Sequence, residues 1–293
     1  MTAFIQVVIN GLLLGSMYGI AAAGLSLIFG TMRIIFLAQG TVIVFFAFVT
    51  YWLFVKANID PYLALLIVVP FAFLVGIGLF YTLFRRAVAL EDKNVSLLIA
   101  VGLMYLIENS ILKVWSASPR GLDISYSGLA IAGWGLRVSG LRLILLGLAV
   151  ASAVVVFLFL RHTRLGTAVR AASEDMVATT LQGINSVWVC AISFAVGIGL
   201  AGVAGVGMAT VYSFDYAFGF TFALKALIAL ALGGLGNVFG ALAGGLILGI
   251  IENLTAYYVS ISWIEAVSYG VFILVLVFLP HGLFGRGTVV KKV

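Results

Sequence analysis

Long apolar runs, broken by short polar stretches, set the pattern of this chain. The runs fall at roughly 4–30, 34–55, 62–84, 95–114, 141–160, 189–211, 221–235, 239–259 and 264–280. Most reach or approach the ~20 residues a helix needs to cross the hydrocarbon of a bilayer. They are continuous rather than alternating, which excludes a membrane barrel, whose strands alternate lipid-facing and lumen-facing positions. The pattern predicts an all-α, polytopic membrane protein with a single transmembrane domain over residues 1–293. One run stands out. Residues 221–235 make a helix of only ~22 Å, short of a ~30 Å core, and they lead straight into Gly233-Gly234-Leu235-Gly236-Asn237. Backbone exposed at that depth is tolerated only where protein covers it or a polar cavity receives it. The expectation is about eight full spans plus one short broken or re-entrant helix.

Charge then orients the spans. No Lys or Arg precedes the first run, which is too long for a signal core and is followed by Arg33, so it reads as a span and not a signal peptide. Cytoplasmic loops carry the excess of Lys and Arg. That rule places Arg33, the 85–94 loop (Arg85, Arg86, Lys93), the 161–188 loop (Arg161, Arg164, Arg170) and the tail (Arg286, Lys291, Lys292) inside. The loops at 115–141, with Arg120 and Arg137, and at 212–220 fall outside. The N-terminus is therefore expected outside and the C-terminus in the cytoplasm.

Composition narrows the function. With 64% hydrophobic and 9% charged residues, the chain cannot cover a soluble globule with polar surface. Its formal charge of +6 reports orientation in the membrane and not a nucleic-acid partner. Cys190 is the sole cysteine, and His162 and His281 are isolated, so neither a disulfide within the chain nor a metal site is expected. No nucleophile–base pair is visible, which argues against an enzyme. A P-loop needs Gly-Lys-Ser/Thr, and none of Lys56, Lys93, Lys113, Lys225, Lys291 or Lys292 follows a glycine. No cofactor is expected, and ATP hydrolysis would have to come from another chain.

Glycine is abundant, and Gly11/Gly15, Gly236/Gly240 and Gly245/Gly249 have the spacing that lets helix backbones approach closely. Packing, hinges and a solute path all remain open on spacing alone. A weak internal echo relates residues 27–40 to 230–243, each carrying an apolar run into Gly and then a Phe six positions later. Polar residues fall in or near the spans at Gln6, Asn10, Ser26, Gln39, Glu108, Asn109, Lys225, Glu252 and Asn253. An ionisable group at depth costs ~2.5–3.5 kcal/mol and so faces a partner helix or a wet cavity. Glu108 is mid-span, with a buried hydrogen bond, path lining or proton coupling as its readings. Lys225 is expected near the outer end of the short span, where it can snorkel.

The strongest anomaly is the polar island TRLGTAVRAASEDMVATTLQGIN at 163–185, with Arg164, Arg170, Glu174 and Asp175. Wound as one helix, it brings Leu165, Val169, Ala172 and Met176 within ~60° of one another and puts the charges elsewhere. Gly183 supplies a C-terminal stop. The mixed-sign face points to protein docking in preference to lipid, with a plain interfacial tether as the alternative.

This island resembles the ATPase-coupling loop of permeases in the branched-chain amino acid class of bacterial ABC importers. The residues that carry the likeness are Thr163, Gly166, Ala168, Arg170, Ala171, Asp175, Ala178, Gly183, Ile184 and Asn185. Asn10, Gly11, Gly15, Tyr18, Gly24, Phe29 and Gly30 are similar to the family's first span. The run Arg33-Ile34-Ile35-Phe36-Leu37-Ala38-Gln39-Gly40 is similar to its R-x-x-N-F-A-[HQ]-G signature, with Phe36 in place of Asn. Lys225, Ala226, Gly233, Gly234, Leu235, Gly236, Gly240 and Ala241 match a further stretch. Length and an early first span resemble the shorter H-type subunit.

The resemblance implies a type II-like importer permease in the bacterial inner membrane. It implies a second permease subunit, as a heterodimer, two cytoplasmic ATP-binding subunits, and an extracytoplasmic solute-binding protein. Docking would fall to Arg164, Gly166, Arg170, Glu174, Asp175 and Gly183, and the solute path to Asn10, Gln39, Phe36 and Glu108. Phe36 for Asn widens the expected solute to a related carboxylate, amide, urea or aromatic acid. The alternative is a self-sufficient secondary transporter or channel using Glu108 and the broken span at 221–237.

Overall fold

A computed structural model describes residues 2–89, 93–124, 130–133, 136–279 and 281–285. Its helices are α1 (Thr2–Met32), α2 (Gln39–Ala57), α3 (Pro61–Leu79), α4 (Arg85–Ala89), α5 (Lys93–Trp115), α6 (Gly140–His162), α7 (Arg164–Glu174), α8 (Met176–Leu181), α9 (Ser186–Val211), α10 (Phe218–Gly233), α11 (Val238–Tyr258) and α12 (Ile264–Phe278). A π turn, Phe80–Phe84, joins α3 to α4 into one span, and a 3₁₀ turn, Ile261–Trp263, leads into α12. Among the described residues eight helical segments are long and apolar enough to cross a membrane, and α10 is a shorter ninth. The expected count of eight full spans and one short one is met. The one addition is a hairpin, β1 (Ala130–Gly133) with β2 (Leu136–Ser139), paired antiparallel with Ala130 opposite Ser139.

Close backbone packing holds the centre. Helices α1 and α9 are the most enclosed spans and α12 the least. Along the α1–α11 seam, Gly11, Gly15 and Gly19 meet Gly249, Gly245 and Leu242. A Cβ on Gly15 would lie 2.8 Å from Leu246 Cα, so only glycine permits this approach. Two of the three predicted glycine pairs therefore serve packing within the subunit. The third does not act as a helix pair: Gly236 sits in a turn, while Gly240 alone packs on Gly233 of α10. Aromatic rings fill the adjoining core, where Phe36 lies edge-on to both Phe84 and Phe194, with centroids 5.6 and 5.1 Å away.

Contacts sort the connections to two ends of the bundle. At one end the last turns of α1 reach Gly236 and Ser173, so the α7–α8 elbow and the 234–237 turn lie together. Residues 281–285 return to the same end, where Leu283 and Phe284 donate backbone hydrogen bonds to Leu232 and Gly233. The segments 116–124 and 212–217 meet at the opposite end, where Arg120 and Phe214 exchange backbone hydrogen bonds and the Arg120 guanidinium lies 5.6 Å from the Tyr51 ring centre. Arg33, Arg85, Arg86, Arg161, Arg164 and Arg170 all belong to the elbow end, as the loop assignment required. Arg286, Lys291 and Lys292, expected on that side, lie outside the described residues.

Candidate functional site

The polar island folds as an elbow of two helices and not as the single helix that its phasing implied. Thr163 Oγ1 accepts from Gly166 N at 2.9 Å and donates to Phe159 O at 2.7 Å, which ends α6 and starts α7 with one side chain. Gly166 lies flush on the backbone of Phe159 and Leu160, so the bend needs a residue without Cβ. Asp175 breaks the island because its carboxylate accepts from Ala178 N at 2.9 Å and caps α8. Gly183, at φ +82°, stops α8 as expected, and Asn185 caps α9 by accepting from Trp188 N at 3.2 Å.

That break changes the faces. Gly166, Val169, Ala172 and Thr179 turn inward, whereas Leu165 is exposed and Met176 only partly covered. Arg164, Arg170, Glu174 and Asp175 face outward, and so do Val177 and Leu181. Sequence phasing missed those two, because it carried the α7 register past the cap at Asp175. The outer surface of the elbow therefore mixes both signs of charge with the exposed apolar side chains of Leu165, Val177 and Leu181, a composition suited to a protein partner. Helix α7 touches α1, α6 and α9, so movement of the elbow bears on three spans at once. A cavity of about 50 Å³ beneath it is lined by Ser26, Gly30, Thr31, Arg170, Ser173 and Gly236.

The short span breaks where the glycines predicted. Gly233 ends α10, and Gly234 and Gly236 take φ of +108° and +82°, which strain any residue with a Cβ. Asn237 caps α11 by accepting from Gly240 N at 3.1 Å and donates to Phe284 O at 2.9 Å. The bonds from Leu283 and Phe284 satisfy carbonyls that the end of α10 leaves open. The internal echo has a counterpart here, since Arg33 aligns with Gly236 and also takes a left-handed φ of 54°.

An intramembrane polar cluster joins α10 to three other helices. Lys225 sits in the middle of α10 and not near its outer end, because the helix starts at Phe218. Its ammonium lies 2.9 Å from Glu252 Oε1 and donates to Glu252 Oε2 at 3.1 Å and to Tyr18 Oη at 3.2 Å. Tyr18 Oη donates to Glu252 Oε2 at 2.8 Å, and Ser268 Oγ donates to Oε1 at 3.0 Å. Helix geometry explains the meeting. Gly233 faces Gly240 and Ala229 faces Gly244, so Lys225 is level with Leu248, and Glu252 is one turn further along α11. Side chains tilt toward their own helix's N-terminus, and in this antiparallel pair the two tilts converge.

The four predicted path residues are not brought together. Phe36 is a core ring, enclosed between Phe84 and Phe194. Gln39 is fully buried where α2 begins; its Nε2 donates to Gly197 O at 3.4 Å, and its Oε1 has no partner. The Gln39 amide packs at Gly24, about 21 Å along α1 from half-buried Asn10. Glu108 stands apart on α5, half-exposed between the exposed Leu106 and Asn109, with no hydrogen bond or ion pair among the described residues.

Comparison with known proteins yields one class, the permease components of membrane transport systems. The family model described as "Branched-chain amino acid transport system / permease component" matches residues 7–276, and the chain belongs to that family. The chain is 30% identical over 301 residues to the high-affinity branched-chain amino acid transport system permease protein LivH of Escherichia coli, covering 98% of this chain and 97% of that one. Its likeness to the corresponding permease BraD of Pseudomonas aeruginosa is 30% over 304 residues, 98% of each chain. The inner membrane ABC transporter permease protein YjfF of Escherichia coli is 28% identical over 167 residues, 54% of this chain and 50% of that one. No solved structure matches the chain.

Proposed function

We propose that the chain is one permease half of an ATP-driven importer that carries a small polar solute, a branched-chain amino acid or a related carboxylate or amide, into the cytoplasm. The elbow carries this reading. Its two capped helices are fixed to α6 at Thr163 and Gly166, rest on α1, α6 and α9, and offer a charged and apolar outer surface to water. A partner ATPase docked on Arg164, Arg170, Glu174, Asp175, Val177 and Leu181 would move those spans together on closing. The elbow end is then the cytoplasmic end, in keeping with its arginines. A second permease completes the path, and an extracytoplasmic binding protein delivers solute at the opposite end, near the 116–124 and 212–217 segments.

The alternative of a self-sufficient secondary transporter or channel keeps the broken span at 221–237 but is less favoured at its other element. It gave proton coupling to Glu108, which lies on the half-exposed side of α5 and not inside the bundle. Copurification tests the proposal: the tagged chain should recover its partner ATPase, and replacing residues 164–181 by a flexible linker of equal length should abolish that recovery while the spans stay in the membrane. Undiminished recovery from the linker variant would remove the elbow from the interface.

A further inference from the structure

We infer that the hook formed by residues 281–285 is a second contact for the partner ATPase, one that bears on the broken span α10 in addition to the elbow's hold on α1, α6 and α9. The inference rests on the import reading, which supplies the ATPase, and adds to it a surface and a route to a further helix.

The hook holds on through its backbone. Leu283 N donates to Leu232 O at 2.8 Å and Phe284 N to Gly233 O at 3.2 Å, at the last residues of α10. Asn237 Nδ2 donates to Phe284 O at 2.9 Å, which ties the hook to the start of α11 as well. Glycine permits the fit: Gly234 and Gly282 take φ of +108° and +74°, and a Cβ on Gly234 would lie 2.6 Å from Gly285 N. None of these bonds uses a side chain of the hook. Yet Leu283 and Phe284 are large and apolar, 47% and 50% exposed, and Leu235 in the adjoining turn is 44% exposed. A segment that served only to close the end of α10 could carry any side chains at 283 and 284. Apolar side chains held out by a fixed backbone mark a surface that a partner covers.

Position selects the partner. The hook leaves α12, the least enclosed span, and turns inward to α10, where residues 228–234 are buried without a break. It therefore lies at the covered end of the bundle and not along its lipid-facing rim. The elbow is beside it: a Cβ on Gly30 would lie 3.6 Å from both Ser173 Cβ on α7 and Gly236 Cα in the turn. Elbow, turn and hook thus form one continuous surface, with Leu165, Val177 and Leu181 on one part and Leu235, Leu283 and Phe284 on the other. A subunit docked on the elbow reaches the hook. The elbow bears on α1, α6 and α9, and the hook is bonded to the end of α10. One docked ATPase therefore acts on the short helix together with the long spans.

Thiol protection in the complete importer tests the contact. Cys190 is the sole cysteine and is buried, so Cys190→Ala with Phe284→Cys gives one reporter on the hook. Cys190→Ala with Leu181→Cys gives its counterpart on the elbow. In lipid nanodiscs a water-soluble maleimide should label Phe284→Cys readily in the permease pair alone. With the ATPase subunits bound, labelling should slow by about fivefold or more, because a closed interface excludes water. Leu283→Ser/Phe284→Ser should leave the spans folded and cut ATPase recovery by about fivefold, as the loss of interface anchors does. Protection of Leu181→Cys with unchanged labelling of Phe284→Cys would remove the hook from the interface and leave the import reading intact. Slow labelling of Phe284→Cys both with and without the ATPase would put that side chain in lipid and overturn the contact. Protection of Phe284→Cys but not of Leu181→Cys would instead overturn the docking role of the elbow, on which the import reading rests, and leave the hook contact standing. Should Phe284→Cys fail to assemble, Leu283→Cys decides by the same comparison.

Discussion

The elbow and the intramembrane cluster are built from the same residue types in opposite surroundings. Arg164, Arg170, Glu174 and Asp175 stand in water on α7 and the start of α8, where exposed charges interact weakly with one another. Lys225 and Glu252 stand inside the bundle, at 2.9 Å, with Tyr18 and Ser268 completing the hydrogen bonding. The difference separates two functions. Exposed charges can meet a partner at the surface and contribute little to the bundle as a whole. The buried pair constrains four helices, so its loss is felt throughout the bundle.

The comparison breaks most visibly at Glu252. Glu252→Ala leaves Lys225 charged and unpaired, and a cost of about 3–5 kcal/mol follows from breaking one side of a buried pair. Thermal unfolding in detergent should show it, while Lys225→Met/Glu252→Gln should lose much less. Next comes the seam beside the cluster. Gly245→Ala drives a methyl into the backbone of Gly19, at about 1–3 kcal/mol for overpacking. Gly147→Ala, on α6 with open space around it, should be neutral or gain about 0.5–1 kcal/mol.

Effects on the elbow are smaller and local. Asp175→Ala removes the cap of α8 and should cost about 1 kcal/mol there. Faster amide exchange over residues 176–181, with the spans unchanged, checks it. Arg170→Glu should alter stability by less than about 0.5 kcal/mol and yet weaken ATPase recovery by about tenfold, the equivalent of 1.4 kcal/mol at the interface. If Arg170→Glu destabilised the bundle as strongly as Glu252→Ala, the division between the two regions would be wrong.

Much of this contrast was legible in the sequence, and unevenly. Span number follows from the lengths of apolar runs, and the break after α10 from Gly233, Gly234 and Gly236, because each is a local property of the chain. The elbow was visible as polarity out of place. Its exposed residues Val177 and Leu181 were not, since the cap at Asp175 resets the helical phase and only the folded backbone reveals the reset. The cluster was least legible. Tyr18 and Glu252 are separated by 234 positions, and their meeting depends on the glycine seam that aligns α1 with α11. A usable signal did exist: Lys225 and Glu252 are opposite charges in consecutive antiparallel helices, and at that depth neither is stable alone. Glu108, conspicuous in the sequence for the same reason, is only half-buried on α5 and has no oppositely charged partner among the described residues.

The central claim is that an external ATPase, acting through the elbow, drives transport through these spans. Uptake of the solute held by the cognate binding protein, measured in proteoliposomes with and without the ATPase subunits, tests it most directly. The account predicts accumulation only when the permease pair, ATPase subunits, binding protein and ATP are all present, and its collapse with Arg170→Glu. Accumulation by the chain without any ATPase, driven by an imposed ion gradient, would contradict it.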